Sequence, residues 1–168
     1  MKKKLLTLFL TLLIAVIVVG CGDGGRQEYL EELEKFRSSA FSTALSAEAL
    51  SGLIQDKWRE AINDRRDFNE TIALINNLQE TIDWRERLAD GRSETSSIYL
   101  QLGNAPDGLE RAEQITSNMF RYLDALVSLA DSPSGSLQSY SAARRESIDG
   151  FLQEYRLLGD LIDEFSEE

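Results

Sequence analysis

The chain has 168 residues, with 18 Lys and Arg against 29 Asp and Glu, no histidine and one cysteine. A formal charge of −11 repels a phosphate backbone, which argues against nucleic acid as a partner. The lack of histidine removes the commonest general base and the commonest zinc ligand, and a lone cysteine can make neither an intrachain disulfide nor a cysteine metal cluster.

The first element is a charged start, Lys2-Lys3-Lys4, followed by an uncharged apolar run from Leu5 to Val19 and then Gly20-Cys21. That is the order of an export signal. The run is too short for a bilayer-spanning helix, which needs roughly 20 apolar residues. An ordinary secretory signal prefers an A-x-A-like cut site, which Val18-Val19-Gly20 matches poorly. Val18-Val19-Gly20-Cys21 resembles the lipobox of bacterial lipoproteins. The resemblance implies recognition of Val18, Val19 and Gly20 by signal peptidase II, cleavage before Cys21 and a thioether from Cys21 to diacylglycerol. Two acyl chains suffice for stable anchoring, and an amino-terminal acyl group such as palmitate adds a third. The expected location is the extracytoplasmic face of the cell membrane, or an outer membrane in a diderm cell. The lipid bilayer would then be the first partner.

Residues 1–20 carry three lysines and no acid, so their removal takes the formal charge from −11 to −14. Solvation accounts for such charge; a basic partner is the sharper reading and Ca²⁺ binding a third. A body this acidic is not expected to lie flat on an anionic leaflet. Residues 21–25 supply the lipidated cysteine and Gly22-Asp23-Gly24-Gly25, which reads as a flexible tether. In diderm bacteria, lipoproteins held at the inner membrane tend to carry Asp after the cysteine. This chain has Gly22 there.

From residue 26 to 168 the pattern predicts one all-α domain, an antiparallel bundle of about four helices preceded by the signal-peptide helix. Apolar residues recur at steps of three and four, as helices require. The first stripe is Leu30, Leu33, Phe36, Phe41, Leu45, Leu50, Leu53, Ile54, Trp58 and Ile62. The second is Phe68, Ile72, Ile75, Leu78, Ile82 and Leu88. Leu109, Ala112, Met119, Leu123, Leu126 and Ala130 form the third. The fourth is Leu137, Tyr140, Ile148, Phe151, Tyr155, Leu158, Ile162 and Phe165. The last two keep the a/d-like spacing of coiled-coil neighbours.

Breaks are expected between the stripes. Without one at Asp64-Arg65-Arg66-Asp67, the first helix would be too long for a compact domain. Asp90-Gly91-Arg92-Ser93 should end or kink the second helix, leaving a short extra helix near Ser96 to Leu102. Asn104-Ala105-Pro106 is a stop, with Asp107 as the next N-cap and Glu110 completing a capping box. Ser132-Pro133-Ser134-Gly135-Ser136 is a turn.

Little here suggests catalysis. Without histidine, a serine nucleophile would need lysine, and neither Lys35 nor Lys57 follows a Ser-x-x-Lys spacing. No phosphate-binding glycine loop and no calcium loop is present. Acidic runs such as Glu28 to Glu34 and Asp160 to Glu168 read as solvated helix surface, with Glu31–Lys35 and Asp83–Arg87 as expected intrahelical pairs. An enzyme is not expected, and neither is a metal or cofactor.

Two stretches are less generic: Trp58-Arg59-Glu60-Ala61-Ile62 running to Asp67-Phe68-Asn69-Glu70, and Pro133-Ser134-Gly135-Ser136-Leu137-Gln138-Ser139-Tyr140. Together they resemble small helical lipoproteins, largely uncharacterised, of Gram-positive bacteria and their phages. The resemblance implies a membrane-anchored binding or scaffolding module whose partner is an unidentified envelope protein. Its alternatives are a lipoprotein that excludes a second phage and a carrier of an apolar ligand within the bundle. In an antiparallel bundle both stretches fall at the membrane-distal end. There Trp58, Asp67, Asn69, Ser134 and Tyr140 form a candidate partner-binding tip. The plainer reading makes Trp58 core and gives Asp67, Asn69 and Ser136 to helix capping.

Overall fold

Apolar residues at helical spacing bury one face of each long helix. The computed structural model describes residues 23–166, so the signal segment and Val18, Val19, Gly20 and Cys21 lie outside the described residues. Within them the chain is all-α: α1 Asp23–Asn63, α2 Phe68–Asn76, α3 Gln79–Leu102, α4 Glu110–Asp131 and α5 Leu137–Ser166. The four long helices form an up-down-up-down bundle, and α2 is a short helix at the end where α1 finishes. The core runs the length of the bundle: Leu33, Phe36, Leu50 and Ile54 from α1, Leu88 from α3, Met119, Leu123 and Leu126 from α4, and Phe151 and Leu158 from α5. Each such side chain contributes about 1.5–3 kcal/mol by leaving water.

The bundle is flattened. The parallel helices α1 and α4 touch across it, and α1 also packs against both α3 and α5. Helix α3 meets α4 lightly and makes no contact with α5 among the described residues. Antiparallel register is fixed by specific pairs. Phe36 meets Tyr99 with ring centroids 5.8 Å apart, Tyr99 stacks on Phe120 at 4.5 Å, and Phe41 meets Tyr155 at 4.9 Å. At the end where α1 begins, the Arg26 guanidinium lies over Phe165 at 4.5 Å.

Small residues let α1 and α3 approach closely. The Thr95 hydroxyl lies 2.9 Å from Ser39 Oγ and 3.0 Å from Thr43 Oγ1, and Thr43 and Thr95 are both buried. A Cβ on Gly91 would sit 2.6 Å from Thr43 Oγ1. Gly91 therefore serves helix packing, and the break expected at Asp90 to Ser93 does not occur. Helix α3 continues through it to Leu102 and absorbs the short helix expected near Ser96.

Other boundaries also differ from expectation. Helix α1 begins at Asp23, so most of the segment expected to be a tether is helical. An unmarked break falls at Asn77-Leu78, between α2 and α3. Helix α4 starts at Glu110 with Leu109 in the cap position. Asp107 does not cap it; Glu110 reaches back to the Gly108 N–H at 3.1 Å, and its own N–H and that of Gly108 hold its carboxyl below the usual range. Lys35 pairs with Glu32 rather than Glu31. Asp83 accepts from Gln79 at 2.8 Å, while Arg87 lies over the Trp84 ring.

Candidate functional site

The end of the bundle where α1 stops is built from the turn at Asp64 to Asp67. Arg66 N–H donates to the Ala61 carbonyl at 2.8 Å and Arg65 N–H to that of Ile62 at 3.2 Å. Those two bonds make a Schellman-type stop, with Arg65 at φ 56° in the left-handed position glycine usually fills. Asp67 then caps α2: its Oδ1 accepts from Asn69 N–H at 2.8 Å and Glu70 N–H at 3.2 Å.

Capping by Asp67 brings Phe68 onto Trp58, with ring centroids 3.8 Å apart and planes 25° from parallel. Tyr140 closes the cluster, its ring 5.6 Å from Trp58. The Tyr140 hydroxyl donates toward two carbonyls, Ser51 on α1 and Leu129 on α4, each at 3.2 Å. Burial pushes that hydroxyl far above its usual pKa, and the Arg144 guanidinium offsets a smaller part. Arg144 bonds Ser51 Oγ at 3.1 Å and pairs with the Glu48 carboxylate. At the start of α5, Ser136 and Ser139 cap each other reciprocally: Ser139 N–H donates to Ser136 Oγ at 3.1 Å and Ser136 N–H to Ser139 Oγ at 3.0 Å.

The structure thus brings Trp58 and Tyr140 together, but as core: they are 5% and 1% exposed. Neither is presented to a partner. Asp67 is engaged as a cap, while Asn69 and Ser134 are exposed. The exposed apolar residues at this end are others: Ile62, Leu74, Leu78 and Ile82. Three of these fall on stripes that predict burial. Leu74 alone stands off its stripe, and that was the available signal.

Several concavities flank the bundle, of which two lie against α1. A cleft between α1 and α3 is lined mainly by polar side chains, including Glu31, Lys35, Ser42 and Glu94. An apolar groove of about 250 Å³ lies between α1 and α5, lined by Phe41, Leu45, Ile148 and Leu152 over Leu126. Pockets for drug-sized ligands usually run about 300–1,000 Å³. Among the described residues no group of three or more acidic, histidine or cysteine side chains is placed to hold a metal ion. No helix among them is long and apolar enough to cross a membrane. The chain matches no protein-family model, no curated protein and no solved structure.

Proposed function

We propose that the chain is a non-enzymatic lipoprotein, anchored through Cys21 on the extracytoplasmic face of a bacterial membrane, that acts as a binding or scaffolding module of the envelope. The observation that carries this reading is the course of α1. It begins two residues after Cys21 and continues unbroken for 41 residues, about 60 Å at 1.5 Å per residue. A lipid on Cys21 would therefore sit at one end of a rigid strut and the α1–α2 turn at the other. The side chains around that turn are the part of the molecule that such an anchor holds out toward a partner. Tyr140, bonded to α1 and α4 from α5, ties three of the long helices together at that end, so the surface rests on a stiff platform. An apolar carrier has less support, because the groove beside Leu45 is open and small.

The test is intact-mass measurement of the chain extracted from membranes of an expressing bacterium. The expected species begins at Cys21 and carries the added mass of at least two acyl chains. Cys21→Ser should accumulate as an uncut precursor. A mature chain with a free thiol at Cys21, or one cut elsewhere, would overturn the anchor.

A further inference from the structure

Among the described residues, six large apolar side chains are exposed, and four of them, Ile62, Leu74, Leu78 and Ile82, fall within 21 residues at one end of the bundle. Leu74 is on the last turn of α2, Leu78 is the cap of α3 and Ile82 is on its first turn, so these three sit at the α2–α3 junction at steps of four. Concentrated apolar exposure of this sort marks an interaction surface, where isolated exposed leucines do not.

The charge around the junction selects the partner. Along the chain no Lys or Arg occurs between Arg66 and Arg85, while Glu70, Glu80 and Asp83 do, and all three acids are exposed. Of the two flanking cations, Arg66 pairs with Asp64 and Arg85 reaches back to the junction itself, donating to Asn76 Oδ1 at 3.0 Å. Glu70 and Glu80 form no ion pair among the described residues. A second copy docking junction to junction would set these acids against one another, and an anionic lipid surface would meet the same repulsion. An amphipathic helix offers an aliphatic stripe at three- and four-residue spacing, and basic residues beside that stripe would meet the acids. We infer that the α2–α3 junction, through Leu74, Leu78 and Ile82 rimmed by Glu70 and Glu80, docks a cationic amphipathic helix of a partner protein. The inference rests on the reading above only in holding this surface away from the membrane.

The probe is a labelled amphipathic peptide with leucines at every third and fourth position and lysines elsewhere. Its counterpart has glutamate in place of each lysine. Binding to the full chain in nonionic detergent is followed by fluorescence anisotropy. The lysine peptide should bind about tenfold or more tighter than the glutamate peptide, with affinity falling as salt rises. The double variant Leu74→Ser, Leu78→Ser should weaken binding about tenfold. Glu80→Lys should weaken it and flatten the salt dependence, which keeps the test open if the double variant folds poorly. Leu100→Ser, at the most exposed leucine of α3 (79%), should bind as the parent does. Equal binding of the two peptides, no binding of the lysine peptide, or an equal loss from Leu100→Ser would overturn the inference. Acylation of Cys21 is read separately by mass. An acylated chain that ignores the peptide sinks this inference alone, and an unacylated chain that binds it sinks the anchor alone.

Discussion

The indole of Trp58 and the ring of Phe68 stack with 3.8 Å between centroids, and this pair fastens α2 to the body of the protein. Among the described residues helix α2 touches only α1 and α3, and its buried residues are Thr71 and Ile75. Phe68→Ala should cost about 2 kcal/mol, less than a fully buried aromatic because Phe68 is half-buried. Its more specific consequence is optical. In a Trp84→Phe background only Trp58 emits, and loss of Phe68 should shift that emission to the red. An unshifted spectrum would mean that α2 stays docked without the stack.

Gly91 and Thr43 set the approach of α1 to α3. In an exposed helix, Gly→Ala stabilises by about 1 kcal/mol. Here the new methyl would lie 2.6 Å from Thr43 Oγ1, an atom already committed to the Ser39 carbonyl and to Thr95. Gly91→Ala should therefore lower the melting temperature. Removing the obstructing hydroxyl in Gly91→Ala, Thr43→Ala should recover part of the loss. Additive effects in this double-mutant cycle would show that the two positions do not press on each other.

The helical class and most of the buried stripes are legible in the sequence because they depend on periodicity, which side-chain volume and spacing encode directly. The turn at Asp64 to Asp67 is legible only by length, since Arg65 occupies the left-handed position without the usual glycine. Gly91 misleads for the opposite reason: a glycine placed for close packing looks in sequence like a break. Surface position was the hardest feature to read. Trp58 and Tyr140 stand near helix ends, but Phe68 and the carbonyls of Ser51 and Leu129 cover them, and each of those partners lies across a turn or on another helix, where helical periodicity gives no information. Ile62, Leu78 and Ile82 fit the apolar stripes, yet they fall where the bundle ends and no fourth wall remains to bury them.

Arg65 carries a stability reserve. Its left-handed backbone costs an L-residue about 1 kcal/mol or more, while glycine pays part of that back in unfolded-state entropy. Arg65→Gly should raise stability by up to about 1 kcal/mol, measured by urea unfolding. A loss on that substitution would mean that the exposed Arg65 side chain holds the turn in some other way.

The Tyr140 hydroxyl gives the fold a pH dependence at the alkaline side. Burial raises its pKa above the ordinary 10.0, and burial with a nearby Glu113 raises that of Tyr29 as well. Below pH 10 both states hold the proton and the stabilisation is complete. Above it the unfolded chain releases the proton while the folded chain keeps it, so stability falls as pH rises through the folded-state pKa. Tyr140→Phe should cost about 1 kcal/mol near neutral pH, the typical worth of one hydrogen bond. It should also lose less stability than the parent between about pH 9 and about pH 11. Parallel pH profiles for the two proteins would assign the alkaline loss to other groups.

The strut formed by α1 can be measured directly. A Cβ on Gly25 would meet nothing within 4 Å beyond its chain neighbours and its own helix backbone, and Asn63 is exposed on the last turn, so both positions accept a spin label. With Gly25→Cys and Asn63→Cys in the full chain, an unbroken helix separates the labels by about 57 Å at 1.5 Å per residue. A narrow distribution near that distance is expected, since Leu33, Phe36, Leu50 and Ile54 pin the intervening turns to the core. A broad distribution centred well below it would mean that the helix breaks near its start and that the bundle hangs from a loose tether. Cys21 adds an internal control: acylated through its sulfur it takes no label, whereas a free thiol there would add a third spin and two further distances.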